Sequence, residues 1–386
     1  MKILLYEWEA YGEWSLCKGL KELGFEVVSY RRKIRNQLMD EEFLKELVTK
    51  LIQEQIPFVI SFDFYPLLSM ACQIAKISYI SWVFGAPHYT LYSDIALQEH
   101  NFIFCFDRMQ AESLKARGAA HACHLPLAVD IELFEERIRT GKKLKADISF
   151  VGNLYTDKNY YFEQMKNLPE YAKGYIEGLC EAQLQVYGCD LITGMLPEKV
   201  MKQLSEAVSF EMDANYALTF EQFMADVLQK KVTVMERKRL LKQLSECFQV
   251  TLFTHSDTKE LPKVQNGGYI HYYEKMPLVF AGSSINLNIT LRSILTGIPL
   301  RVLDVAACGG FLISNYQEEI AEYFTDGEEI VIFTDAEDLK DKCTYYLQHD
   351  TERAKIAERA YERVKRDFTY KERLLFMLEQ VSREMA

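Results

Sequence analysis

The sequence predicts an α/β protein built from two Rossmann-like, doubly wound domains. Short apolar runs without polar alternation recur along the first 130 residues and resume near residue 147, the mark of parallel strands covered on both faces. Helical patterns separate these runs, so strand and helix alternate as they do in α/β layers. The chain has 386 residues, which suits two domains at roughly 150 residues each.

In the first half, Lys2–Tyr6 reads as a strand and Trp14–Leu23 as a helix closed by Gly24. Glu26–Tyr30 is a strand, Asp40–Gln53 an amphipathic helix, and Phe58–Phe62 an uncharged strand followed by a helix opening near Pro66. Ser78–Val83 and Phe102–Phe106 complete the set. Glu132 to Lys145 is polar and charged and reads as the inter-domain linker, which gives domains of 1–140 and 141–368 with a final helix over 369–386.

The second half opens with a strand at Asp147–Val151, broken by a helical insertion over about 157–249. The series resumes at Val250–Thr254, passes through Pro277–Phe280, and reaches Phe311–Ser314 and Glu329–Phe333. Thr334 to Glu337 and Thr369 to Glu372 are capping boxes, and each opens a helix.

Lys plus Arg number 45 and Asp plus Glu 56, so the net charge is −11. Such an acidic chain repels phosphates on average, which excludes general binding to nucleic acid or anionic membranes. An apolar fraction of 49% with 26% charged residues describes a globular protein. Glu7, Glu9 and Glu13 interrupt any signal-peptide core, and the uncharged stretch Ile77–Ser93 holds Gly85 and Pro87, so no integral membrane segment is expected. Nine scattered cysteines without a C-x-x-C pair fit free thiols in the cytoplasm.

Two Rossmann-like halves imply a ligand cleft at the carboxyl ends of the strands. The usual nucleotide signatures, G-x-G-x-x-G and G-x-x-x-x-G-K-[ST], are absent. The richest segment runs from Ser284 to Asn315 and offers Asn286, Asn288, Thr290, Arg292, Arg301 and Asp304 ahead of Gly309-Gly310. Arginines in an apolar stretch need anionic partners, and the guanidinium fork matches a phosphate. The Asp304 carboxylate suits a ribose diol, as acids do in other Rossmann-like sites; an intrahelical ion pair between Arg301 and Asp304 is the plain alternative. Gly152 and Asn153, after the first strand of the second half, allow close backbone approach to a ligand, although a simple strand-to-helix turn has the same composition. In the first half, His88 or an Asp63 of raised pKa is the candidate base, against ordinary turn or capping roles. His121 and His124 have the look of metal ligands but lack a second ligand pair, so no metal site is expected.

At these residues the sequence resembles a family. The stretch INLNITLRSILTGIPLRVLDVAACGGFLISNYQEEI is similar to the C-terminal part of the CgeB-like (spore-maturation) glycosyltransferases. SFDFYPLLS, YISWVFGAPH, IFCFD and LPLAVD resemble the domain that precedes it in those proteins. The resemblance implies a GT-B fold whose C-terminal domain binds a nucleotide-sugar donor, by analogy UDP-linked, and whose N-terminal domain takes a glycan or protein acceptor. It implies a last helix returning to the first domain, no cofactor, and no bound metal. Related retaining enzymes carry Glu, seven residues, then Glu; here Thr296 and Asp304 stand at those positions. Gly85 stands where relatives often have an acidic residue. A scaffolding protein on a decayed fold and a sugar epimerase are the alternatives to transfer.

Overall fold

A computed structural model describes residues 1–155, 160–211 and 216–385. The chain divides into two compact units.

The first unit runs from Met1 to Asp130 and takes in residues 216–218 and 368–385. Its elements are β1 (Lys2–Tyr6), α1 (Glu13–Glu22), β2 (Glu26–Tyr30), α2 (Glu41–Gln53), β3 (Phe58–Phe62), α3 (Pro66–Ala75), β4 (Ser78–Val83), β5 (Asn101–Cys105), α4 (Arg108–Ala116) and β6 (His121–His124). The strands form one parallel sheet in the order β2-β1-β3-β4-β5-β6. β4 and β5 are buried at every residue, as their uncharged sequences require. Asp40 caps α2 by accepting the amide of Phe43 at 3.0 Å.

The second unit holds α5 (Ile131–Thr140), β7 (Ala146–Val151), α6 (Tyr160–Met165), α7 (Glu170–Leu184), α8 (Glu198–Ala207), α9 (Phe220–Ser245), β8 (Val250–Phe253), β9 (Gln265–Asn266), α10 (Met276–Phe280), β10 (Ser283–Asn288), α11 (Leu300–Ala307), β11 (Leu312–Asn315), α12 (Glu318–Tyr323), β12 (Val331–Phe333), α13 (Ala336–Leu347) and α14 (Asp350–Asp367). Its sheet is also parallel, ordered β12-β11-β10-β7-β8-β9. The described helices α6 to α9 stand between β7 and β8. The last helix, α15 (Tyr370–Met385), belongs to the first unit, where it packs on α1; a Cβ at Gly19 would lie 2.8 Å from Leu374.

Three expectations change. Glu132–Lys145 is mostly helix α5, not a linker, and the first unit ends at Asp130. Ile131 and Phe134 are its buried anchors, and the Phe134 ring meets Tyr272 at 6.0 Å. Its charged residues are the solvated face of an amphipathic helix. Pro277–Phe280 is helix α10 with Pro at its first turn, where a missing amide costs nothing, and the strand lies further on at Ser283–Asn288. At α13 the cap is Asp335, which accepts the Asp338 amide at 2.9 Å, one residue beyond Thr334.

Candidate functional site

Asp63 follows β3 with a left-handed backbone, φ 56, uncommon outside glycine. Ser61 Oγ and Tyr79 Oη hold it there by donating to its carbonyl at 2.8 and 3.3 Å. Its Oδ1 accepts the amides of Phe84 at 2.9 Å and Gly85 at 3.4 Å, and lies 3.3 Å from His88 Nε2. Among the described residues Oδ2 receives no hydrogen bond. Burial is the largest single influence on this carboxyl and pushes its pKa up, but the His88 bond and charge and the two amides together hold it below the ordinary value. The expected upward shift is therefore reversed. His88 Nδ1 lies 3.1 Å from Thr90 Oγ1, which itself donates to the Phe64 carbonyl at 2.6 Å. Both ring nitrogens thus face protein groups, and His88 positions Asp63. Gly85 carries no acid, and the carboxylate beside His88 is that of Asp63.

In the second unit, the turn after β7 is tied down. Gly152 donates to the Phe253 carbonyl at 3.1 Å, and a Cβ there would press on the Phe150 ring at 3.1 Å. Asn153 Oδ1 accepts the Tyr155 amide at 2.5 Å and the Ser256 hydroxyl at 2.7 Å. Arg237, on α9, braces this turn to the end of β10. It donates to the Asn153 carbonyl at 2.5 Å and to the Ile289 carbonyl at 2.5 and 3.1 Å. The residue is 8% exposed and forms no ion pair with a carboxylate among the described residues. Burial pulls its pKa below the usual arginine range. Next to it, Asn288 Nδ2 donates to Thr290 Oγ1 and Ser314 Oγ, each at 2.9 Å, and the Thr290 amide donates to Asn315 Oδ1 at 2.7 Å. Asn288 and Thr290 therefore shape the carboxyl ends of β10 and β11 through their own hydrogen bonds.

Three residues expected to touch a ligand make contacts within the protein, Arg292 and Asp304 buried and Arg301 partly exposed. Arg292 gives Nε and Nη2 to Glu236 at 2.8 Å each and Nη1 to the Val186 carbonyl at 2.7 Å, with the Tyr187 ring 4.1 Å away. Its charge is neutralised within the core by Glu236. Arg301 Nη1 lies 3.3 Å from Asp304 Oδ2, and Tyr272 donates to Asp304 Oδ1 at 2.7 Å. The plain ion pair is what forms, and Asp304, 1% exposed, has both oxygens engaged. Gly309, with φ 63, ends α11, and Gly310 packs where a Cβ would meet the Phe280 carbonyl at 2.7 Å. Both glycines precede β11, at the amino end of the sheet, opposite the ends where ligands bind.

Arg237 is the residue the sequence reading missed. It stands in Glu236-Arg-Lys-Arg239, and a charge run on a helix reads as a solvated face. The described residues contain no group of three or more His, Cys, Asp or Glu placed to hold a metal. His121 instead stacks on Phe102 with ring centres 4.6 Å apart.

Burial, the largest influence, pushes the Asp304 pKa up from its ordinary 3.8 to about 6, against the lowering effects of Arg301 and Tyr272. A raised acid is protonated in the folded state while the unfolded chain ionises, so its contribution to stability is complete below 3.8 and is lost as pH rises to about 6. That loss amounts to about 3 kcal/mol at 1.36 kcal/mol per pH unit. Asp304→Asn should gain this much on the wild type between pH 3.8 and 6, by urea unfolding at each pH. A pH-independent difference between the two proteins would contradict it.

Two units of this kind, each a parallel six-stranded sheet wound by helices, define the GT-B fold of two-domain glycosyltransferases. Residues 236–379 match the family model described as "Glycosyl transferase-like". Among solved structures, the chain is similar to Anabaena HepE in complex with UDP-glucose, at TM-score 0.55 and 12% identity, covering 99% of this chain and 100% of that one. It is also similar to sucrose-phosphate synthase from Thermosynechococcus elongatus, at TM-score 0.53 and 11% identity over 100% and 99% of the two chains. A putative UDP-N-acetylglucosamine 2-epimerase from Listeria monocytogenes aligns at TM-score 0.51 and 10% identity, over 100% and 96%. No curated protein sequence matches.

Proposed function

We propose that this chain is a glycosyltransferase of the CgeB-like group, moving a sugar from a nucleotide-diphosphate donor to a glycan or protein acceptor. The observation that carries the reading is the glycosyltransferase-like match over residues 236–379, because that segment contains Arg237, β10 and α11. The UDP-glucose complex of the similar Anabaena structure supports a uridine donor.

In this reading the diphosphate lies against the Gly152–Asn153 turn, where Arg237 supplies positive charge. As the glycosidic bond breaks, negative charge grows on the departing diphosphate, and a fixed guanidinium in a dry setting stabilises it without reorganising. The acceptor oxygen bonds to the anomeric carbon and gives its proton to Asp63 Oδ2. A guanidinium then supplies the charge that a divalent ion provides elsewhere, so the proposed reaction is metal-independent and needs no cofactor. We place the protein in the cytoplasm, a reading supported by nine free cysteines. No described helix is long and apolar enough to cross a membrane.

Calorimetry with UDP, UDP-sugars and GDP-sugars tests the reading. UDP should bind, EDTA should leave binding unchanged, and Arg237→Gln should weaken it by about tenfold or more, the loss of one charge-assisted contact. Absence of binding to every nucleotide sinks the proposal. Proton NMR of the donor without acceptor separates transfer from epimerisation, since an epimerase alters the sugar unaided.

A further inference from the structure

We infer that the loop beside Asp63 is a stacking platform for the ring of an uncharged saccharide, so that the acceptor of the proposed transfer is a neutral glycan. The inference rests on the glycosyltransfer reading above and names its acceptor class.

The loop between β1 and α1 and the first turn of α1 expose three large rings within seven residues: Trp8 is 41% exposed, Tyr11 49% and Trp14 58%. Such rings are normally turned inward, and exposed apolar clusters mark interaction surfaces. This loop is held rigid. The Glu13 carboxylate accepts the amides of Trp8, Glu9 and Ala10 at 2.6, 3.2 and 3.0 Å. Glu9 takes φ 74 and Gly12 φ 95, and a side chain at Gly12 would run into the Tyr370 hydroxyl. A non-glycine residue held at positive φ costs free energy, and such costs gather at functional sites.

Trp8 fixes the position of the platform. Its indole N–H donates to the carbonyl of Phe62, the residue before Asp63, at 3.2 Å. Its ring meets Tyr65 edge-on with centres 6.4 Å apart. The polar end of the indole is thus committed to the protein, and what remains for a ligand is the ring face. That face is the negative side of the aromatic quadrupole, which attracts the polarised C–H bonds of a pyranose.

Charge selects among ligands. Glu7 is paired with Arg31, and Lys18 lies over the Trp14 ring at 5.6 Å. Glu9, exposed in the same loop, and Oδ2 of Asp63 add negative charge here, able to accept hydroxyl protons but repelling an anion. A hydroxyl-rich, uncharged ring satisfies both the face and the carboxylates. A single Ser or Thr of a protein acceptor offers no ring to stack.

The test is saturation-transfer NMR on the full chain with maltose, lactose and N,N′-diacetylchitobiose as neutral probes and glucuronic acid as the acidic one, with UDP calorimetry in parallel. At least one neutral disaccharide should receive saturation at its ring C–H protons, and glucuronic acid should not. Trp8→Ala should weaken that disaccharide by about tenfold or more, because the stacking face is removed. Trp8→Phe should restore part of the loss, and UDP affinity should stay the same in both variants. The inference is overturned if no neutral disaccharide responds, if Trp8→Ala binds as well as wild type, or if glucuronic acid binds equally. Failure of UDP to bind strikes the donor reading alone, because the saccharide result is read separately.

Discussion

Asp63→Asn is expected to lower kcat for sugar transfer by about 10²- to 10⁴-fold, the usual contribution of a positioned acid or base. The fold should survive, because asparagine is among the side chains that best tolerate the left-handed backbone at this position, φ 56. Its carbonyl oxygen still accepts the amides of Phe84 and Gly85 that hold the aspartate. What is lost is Oδ2, the oxygen that takes the acceptor's proton in the proposed reaction. UDP affinity should therefore be unchanged and the fall should appear in kcat. A variant with wild-type turnover removes Asp63 from the chemistry. The pH profile gives a second reading. His88 and the two amides outweigh burial and keep this carboxyl below its ordinary value, so it remains ionised across neutral pH. The acid limb of kcat/KM should lie below the ordinary aspartate range, and an acid limb near pH 6 would point to another group.

Glu236→Ala is expected to destabilise the protein by about 3–5 kcal/mol, because it leaves the buried Arg292 guanidinium without its counter-charge. Glu236 is 3% exposed and Arg292 9%, and the pair is bidentate, so water cannot readily take the place of the missing carboxylate. Removing both partners, as in Glu236→Leu with Arg292→Met, should recover much of that loss, since the unpaired charge and not the lost attraction dominates the cost. Chemical denaturation of the single and double variants measures both effects. A single variant within about 1 kcal/mol of wild type would place the pair among the weak surface salt bridges.

The strands were legible because their signal is local. Phe58–Phe62 and Ser78–Val83 are uncharged runs bounded by helix starts, and both occupy the strands expected of them. β10 has a weaker local signal. Ser283–Asn288 carries asparagines at 286 and 288, which argue against a strand, yet both are buried and bonded: Asn286 to the Phe280 and Phe311 carbonyls at 3.1 Å each, Asn288 to Thr290 and Ser314. Polar side chains in the middle of a parallel sheet are admissible only when the neighbouring strands supply partners, and those partners are remote in sequence. The same limit applied to α5, where a charged face looked like a linker until Ile131 and Phe134 found their burial.

Composition and periodicity were enough to predict an α/β chain of parallel sheets, and the rarity of charge in the segment from Ser284 to Asn315 was enough to mark it as unusual. Neither says which charges face a ligand. Arg292 is matched by Glu236, 56 residues away, and Asp304 by Tyr272, 32 residues away. Arg237 sits in a run of helix charges that reads as solvent-facing, but it is buried against two carbonyls and, among the described residues, forms no ion pair with a carboxylate. A strand pattern is a property of neighbouring residues along the chain. The availability of a guanidinium depends on whether folding brings a counter-charge within reach of it, and only the tertiary structure decides that.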